Sequence, residues 1–269
     1  GFEVDFAPVD EKGFVDVDAL ANLIRPDTTL VSVMAVNNEI GSIQPIEAIS
    51  KLLADKPTIS FHVDAVQALA KIPTEKYLTD RVDFATFSSH KFHGVRGVGF
   101  VYIKSGKKIT PLLTGGGQEH DYRSTTENVT GIAATAKALR LSMEKLDIFA
   151  SKTGQMRSVI RQALLDYPDI LIFSDEEDFA PHILTFGIKG VRGEVIVHAF
   201  EDYDIFISTT SACSSKAGKP AGTLIAMGVD KDKAQSAVRL SLDLENDMSQ
   251  VEQFLTKLKL IYNQTRKVR

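Results

Sequence analysis

Short apolar runs that end in polar residues constrain the fold of this chain most strongly. Residues 29–36 are almost continuously apolar, and residues 58–63 and 82–87 are shorter strand-like runs in which apolar residues are interspersed with polar ones. An unbroken apolar run is typical of a strand that is covered on both faces. Residues 18–25, before the first run, and residues 45–54, between the first and second runs, have helical spacing. Strands that alternate with helices predict an α/β fold, a mostly parallel sheet wrapped by helices.

The pattern changes in the second half of the chain. A long helical pattern covers residues 129–146 and continues to about residue 167, and short strands and helices follow it. We therefore expect a partial large domain over residues 1–140 and a smaller α+β C-terminal domain over residues 141–269. Further strands are predicted at residues 4–8, 98–103, 170–173, 182–186 and 205–208, and further helices at residues 194–201 and 231–237.

Composition excludes several classes of protein. The chain has 269 residues, is 43% hydrophobic and 25% charged, and carries a net charge of −4, which gives no basic field for nucleic acid or an anionic membrane. No apolar stretch is long enough to span a bilayer. Residues 1–6 lack the pattern of a signal peptide. The single cysteine excludes an internal disulfide and fits a reducing compartment, so we expect a cytoplasmic protein.

Polar clusters follow three of the predicted strands, at residues 37–39, 64–67 and 88–91. The carboxyl ends of parallel strands share one edge of a sheet and form its ligand site, so the repetition indicates a shared site. An amine, a carboxylate and an amide, from Lys91, Asp64 and Gln67, suit pyridoxal phosphate (PLP) held as a Schiff base. Lys91 alone would be read as a surface lysine, and Asp64 alone as a strand-end cap.

At these residues the chain resembles the cysteine desulfurases, in the class V branch of the fold-type-I PLP enzymes. The matching stretches, in order, are VNNEIG (36–41), HVDAVQ (62–67), SSHK (88–91), GGGQE (115–119), RSTTEN (123–128), SAC (211–213) and VRLSL (238–242). The resemblance implies a fold-type-I architecture across essentially the whole chain. Family members also carry an earlier segment, with a phosphate-binding loop and a histidine that stacks on the cofactor. Nothing in this sequence matches that segment.

The resemblance assigns a role to each candidate residue. Lys91 would carry the cofactor and act as acid and base, and Asp64 would pair with the pyridine nitrogen. Gln67 would bind the phenolic oxygen, and Asn38 would lie over the same edge of the ring and near the substrate. The phosphate would be bound by Ser88, His90 and, from the neighbouring subunit, Thr126. Taken singly, Gln67, Asn38 and Thr126 are ordinary polar loop residues.

Cys213 is the only cysteine, and small polar residues and two nearby lysines surround it. That setting argues against a buried structural cysteine and favours a thiolate. The resemblance makes Cys213 the nucleophile. It would attack the substrate sulfur and become a persulfide, while L-cysteine becomes L-alanine. Arg239 lies in an apolar run and needs an anionic partner. It is either half of a structural ion pair or, as this enzyme class requires, the clamp for the substrate carboxylate.

Two alternatives stay open. One is a selenocysteine lyase or another class V enzyme, whose activity would not depend on Cys213. The second is a non-catalytic fragment, because the cofactor site lacks its amino-terminal part; alone, this chain is expected to retain PLP weakly and to turn over little. A metal site built from His62, His90, His93 or His120 is disfavoured by their loose spacing.

The resemblance also implies partners. Sulfur would pass to an iron–sulfur scaffold or a tRNA-thiolation protein. A homodimer is expected, because residues 115–126 would complete a neighbour's site, and the missing segment could be supplied as a separate chain.

Overall fold

The computed structural model describes residues 1–210 and 222–267, and it divides the chain into two compact units. One unit contains residues 26–35 and 46–146; the other contains residues 1–25, 36–45 and 147–269. The division at residue 140 into a cofactor domain and a cysteine-bearing domain stays a prediction.

The first unit, of residues 26–35 and 46–146, is built on a four-stranded sheet. Its strands are β1 (Leu30–Met34), β2 (Ser60–Asp64), β3 (Phe84–Ser88) and β4 (Gly99–Ile103), in that spatial order. β1, β2 and β3 are parallel, and β4 pairs antiparallel with β3. The helices of this unit are α2 (Ile46–Leu52) and α3 (Val129–Met143). This agrees with the predicted α/β sheet of mostly parallel strands.

The β1 strand differs from its prediction, because only one of its faces is buried. Val31 is 7% exposed, whereas Leu30 and Met34 on the opposite face are 55% and 40% exposed. β2 and β3 alternate in the same way, with Phe61, Val63, Ala85 and Phe87 buried. The described residues of this chain therefore cover only one face of β1 and leave the apolar side chains of Leu30 and Met34 exposed on the other.

The second unit holds an antiparallel sheet, in the order β5–β6–β8–β7. Its strands are β5 (Ile170–Ile172), β6 (Ile183–Ile188), β7 (Ser208–Thr209) and β8 (Ala237–Ser241). Its helices are α1 (Val17–Leu23), α4 (Leu146–Leu164), α5 (Gly193–Glu201), α6 (Gly222–Ala226), α7 (Lys231–Ala234) and α8 (Met248–Lys267).

Helices α4, α5 and α8 form the core of this second unit with strands β6 and β8. The apolar residues that meet there include Met156, Phe186, Phe200, Val238 and Phe254. Phe200 and Phe254 stack with their ring centroids 4.9 Å apart. Burial of large aromatic and aliphatic side chains is the main stabilising term of such a core.

Most predicted elements are present within a few residues of their expected bounds. The strand expected at residues 4–8 is wrong, because only Val9 makes a bridge there, to Val15. The helix predicted at residues 231–237 ends at Ala234, and Ala237 begins β8. Within the part of the chain that the structure describes, no helix is long and apolar enough to cross a membrane.

A buried carboxylate, Asp83, ties the start of β3 to its neighbours. It is 2% exposed, accepts hydrogen bonds from the Phe61 N–H at 2.9 Å and Arg81 at 2.7 Å, and lies 3.3 Å from Lys107. Burial acts to raise the pKa of Asp83, but these hydrogen bonds outweigh burial and hold the pKa below its ordinary 3.8. The carboxylate is therefore ionised in the folded protein at neutral pH.

Replacing Asp83 by asparagine should lower the free energy of unfolding by about 2–4 kcal/mol, because Arg81 and Lys107 lose their buried counter-charge. The contribution of the charge is present above the unfolded pKa and is lost as the pH falls through the lower folded pKa. In urea denaturation, the difference in free energy of unfolding between the unmodified protein and Asp83→Asn should therefore be constant from about pH 7 to 5 and decrease only at more acidic pH. The exposed control Asp80→Asn should change stability by less than about 0.5 kcal/mol; equal effects of the two variants would contradict this account.

Candidate functional site

Asp64 is the last residue of β2, and it lies opposite Thr86 of the neighbouring parallel strand β3. One carboxylate oxygen accepts a hydrogen bond from the Val66 N–H at 3.0 Å. The Ala65 N–H continues the ladder by donating to the Thr86 carbonyl at 3.0 Å. The carboxylate is exposed to solvent at the carboxyl end of the sheet, with Gln67 in the following turn.

Lys91 lies in a single 3-10 turn, Ser89–Phe92, that starts directly after Ser88 ends β3. Lys91 is half-buried and His90 is exposed. Among the described residues, no hydrogen bond or ion pair is made by the Lys91 amine. Side chains alternate along a strand, so Ser88 shares a sheet face with Thr86 and Asp64. The predicted Asp64 and Lys91 therefore flank one stretch of the sheet edge.

A hydroxyl pair that the sequence did not point to holds this turn against α3. The buried Ser89 Oγ lies 2.9 Å from Thr135 Oγ1, which donates to the Gly131 carbonyl at 2.7 Å. Ser89 must therefore be the donor in the pair. A Cβ on Gly94 would lie 1.9 Å from Ser89 Oγ, so the chain can return past Ser89 only with glycine there. Thr135 falls inside a helical pattern, where a polar residue gives no signal of such a contact.

His62 joins three strands beside Asp64. Its Nδ1 lies 2.8 Å from Ser32 Oγ and its Nε2 lies 3.1 Å from Thr86 Oγ1. Burial lowers the pKa of His62, and the charge of Asp64 opposes that shift only in part. The imidazole is therefore predominantly neutral at pH 7, and it lies on the same face of the sheet as Asp64, two positions before it on β2.

Asn38 and Arg239 belong to the other compact unit, and there they are in direct contact. Arg239 Nη1 donates to the Asn38 carbonyl at 2.8 Å. Its buried Nε has no hydrogen-bond partner among the described residues. Buried polar atoms are usually satisfied, so this guanidinium is suited to receive an anionic ligand. No carboxylate among the described residues pairs with Arg239.

Two predicted residues have no described contact with these groups. Thr126 is exposed in the loop between β4 and α3, and no hydrogen bond links it to Asp64 or Lys91. Cys213 lies outside the described residues. The histidines weighed as metal ligands form no cluster with other metal-binding side chains anywhere in residues 1–210 and 222–267.

The chemistry of the donors at the sheet edge fits PLP. An exposed carboxylate can accept a hydrogen bond from a pyridinium nitrogen, and an amine that pairs with no described residue, on a fixed turn, can bind an aldehyde. A hydroxyl and an imidazole, from Ser88 and His90, are suitable donors to a phosphate. These are the groups that would hold the cofactor in this unit.

Comparison with known families decides the relationship. The sequence pattern of the family described as Aminotransferase class-V matches residues 1–254. The chain belongs to this family. It is 49% identical over 269 residues to a "NifS/IcsS protein homolog" of Lactobacillus delbrueckii subsp. bulgaricus, which it covers to 70%. It is 38% identical over 272 residues to "Cysteine desulfurase IscS" of Clostridium botulinum, which it covers to 68%. In both comparisons the whole of this chain is matched.

Solved structures agree with the sequence relatives. A NifS-like protein superposes with a TM-score of 0.89 at 38% identity, over 98% of this chain and 69% of that one. A NifS-like protein from Rickettsia africae superposes with a TM-score of 0.85 at 30% identity, over 96% and 69% of the two chains. The resemblance to cysteine desulfurases and the expected fold-type-I architecture are both confirmed.

The Ser89–Thr135 pair can be tested by a double-mutant cycle. Thr135→Val leaves the buried Ser89 hydroxyl without an acceptor and should lower the free energy of unfolding by about 1–3 kcal/mol. Adding Ser89→Ala removes the stranded donor, so the double variant should recover much of that loss. Urea denaturation measures all three proteins. The exposed Thr130→Val is the control, and strictly additive effects would show that the two hydroxyls do not interact.

Proposed function

We propose that this chain is the part of a PLP-dependent cysteine desulfurase that converts L-cysteine to L-alanine and holds the sulfur as a persulfide on Cys213. The observation that carries the proposal is the placement of Lys91 and Asp64 at the carboxyl ends of two adjacent parallel strands. The class-V match and relatives named cysteine desulfurase support the same reaction.

Lys91 and Asp64 would have different roles in proton transfer and in holding the cofactor. Bound PLP supplies an electron sink for the bonds at the substrate's α-carbon. Asp64 would keep a proton on the ring nitrogen, and its exposed carboxylate is free to accept that hydrogen bond. Lys91 Nζ would hold the cofactor covalently and then move protons between substrate carbons. The Ser89–Thr135 bond fixes the turn from which Lys91 acts.

The remaining candidates would bind the ends of the two ligands. Ser88 and His90 would donate to the phosphate, and Thr126 would reach the phosphate of a neighbouring subunit. Gln67 would bind the phenolic oxygen, with Asn38 over the same edge. Arg239 would clamp the substrate carboxylate, using the Nε and the remaining N–H groups that no described residue accepts.

Cys213 would complete the reaction by attacking the substrate sulfur. The new S–S bond forms as the carbon–sulfur bond of the substrate breaks, and the electron pair of that bond stays on the substrate carbon. Protonation of that carbon and of the α-carbon gives L-alanine. L-cysteine and the Cys213 thiol thus yield L-alanine and a Cys213 persulfide, and no external oxidant is needed.

The cellular setting is part of the proposal. The persulfide sulfur would pass to an acceptor protein, either an iron–sulfur scaffold or a tRNA-thiolation enzyme. The enzyme would act as a homodimer in the cytoplasm, with residues 1–140 contributing to the cofactor domain and residues 141–269 carrying the cysteine. The relatives named IscS and NifS support the desulfurase role, and the single cysteine suits a reducing compartment.

The reaction is tested by supplying PLP and L-cysteine to this chain together with the amino-terminal segment of the family, and by measuring alanine in a single turnover. One equivalent of alanine and a persulfide on Cys213, found by mass spectrometry after alkylation, are expected. Cys213→Ser should form no persulfide and less than about 1% of the alanine. Full alanine formation by Cys213→Ser would favour a lyase that does not use this thiol.

Arg239→Lys tests the carboxylate clamp. Lysine keeps the charge but loses the planar fork, so KM for L-cysteine should rise by about tenfold or more while kcat changes less. Arg192→Lys, at an exposed arginine, is the matched control and should leave KM unchanged. An unchanged KM in Arg239→Lys would assign Arg239 to structure alone.

A further inference from the structure

The turn of residues 37–41 is fixed at three successive carbonyl groups. The Asn38 carbonyl accepts from Arg239 at 2.8 Å, the Glu39 carbonyl from Thr185 Oγ1 at 2.5 Å and the Ile40 carbonyl from Ser174 Oγ at 2.6 Å. Gly41 closes the turn with a φ of +88°, and a Cβ there would lie 3.0 Å from Ile183. The backbone of this turn is therefore held rigidly against the antiparallel sheet.

Asn37 is the internal brace of the turn. The side chain is 6% exposed, and its oxygen accepts from the Glu39 and Ile40 N–H groups at 2.8 and 3.0 Å. Its amide nitrogen is left to donate outward, to Thr223 Oγ1 at 3.1 Å. One amide thus couples the shape of the turn to a residue far along the chain.

Thr223 is held by the same turn in two further ways. Its backbone N–H donates to the Glu39 carboxylate at 3.2 Å. The neighbouring Leu224 is buried in one apolar cluster with Ile40. Hydrogen bonds and apolar burial therefore fix the first residues of α6 to the turn that also binds Arg239.

We propose that Asn37 and Glu39 are positioning residues that anchor the downstream end of the Cys213 segment in fixed register with the Arg239 clamp. The inference rests on the proposed function for the roles of Cys213 and Arg239. Thr223 follows Cys213 by ten residues, as the sequence numbering gives directly. A shared anchor limits where a thiol on that segment can travel relative to a substrate carboxylate held by Arg239.

A merely structural role would predict something different. If the contacts only stabilised the unit, their loss would loosen the whole unit and raise KM and lower kcat together. A positioning role predicts a local change next to Cys213 and a fall in kcat with KM retained, because Arg239 keeps its bond to the Asn38 carbonyl.

Limited trypsin digestion without PLP or substrate supplies a readout independent of activity. Thr223→Val removes the acceptor of Asn37 at constant shape, whereas Thr223→Ser keeps it. Cleavage after Lys216, followed by mass spectrometry, should accelerate about fivefold in the valine variant, as expected for the loss of one hydrogen bond, and stay near the unmodified rate in the serine variant. Cleavage after the exposed Lys108, in the other compact unit, is the internal reference.

Glu39 offers an independent pair of variants should Thr223→Val fail to fold. Glu39→Ala removes the acceptor of the Thr223 N–H, and Glu39→Gln keeps an oxygen there. The alanine variant should accelerate the same cleavage after Lys216, and kcat for alanine formation should fall about fivefold at unchanged KM. Unchanged cleavage in both disruptive variants, or a parallel rise after Lys108, would overturn the proposal. Accelerated cleavage in a protein that forms no alanine would uphold the anchor and overturn the proposed reaction.

Discussion

The parallel pairing of β2 with β3 is the interaction on which the candidate site depends. Its register places Asp64 opposite Thr86, so a carboxylate and the turn of Lys91 emerge together at the carboxyl end of the sheet. The strands alone would leave Lys91 on a short exposed turn. The buried Ser89–Thr135 bond holds that turn in place, as the proposed acid–base role of Lys91 would require, since small displacements of a reacting group cost much of its rate.

In the second unit, too, buried hydrogen bonds hold a turn in place. The turn of residues 37–41 is braced by the Asn37 amide and held at three carbonyls that accept hydrogen bonds. Both Arg239 and Thr223 are hydrogen-bonded to this turn. In each unit a loop that would otherwise be adaptable is held by buried hydrogen bonds to regular structure. Buried polar groups of this kind specify one arrangement because any other would leave them unsatisfied.

The sequence predicted the sheet and the residues at its edge because both leave local signals. Apolar runs mark the strands, and Asp64 and Lys91 directly follow or end such runs. The antiparallel direction of β4 leaves no mark in an apolar pattern, although the ten residues between β3 and β4 are short for a parallel crossover. The Ser89–Thr135 contact spans 46 positions and joins two ordinary polar residues, so no pattern within one sequence reveals it. The predicted strand at residues 4–8 failed because alternation alone does not supply a pairing partner.

Mapping the lysine that captures PLP tests the central claim most directly. The protein is mixed with PLP, reduced with borohydride to trap even a weakly held cofactor, digested and examined by peptide mass spectrometry. We expect the pyridoxyl mass predominantly on Lys91, whose half-buried amine is unpaired among the described residues just after the end of β3. A label spread over exposed lysines, with Lys91 no more modified than the others, would contradict it.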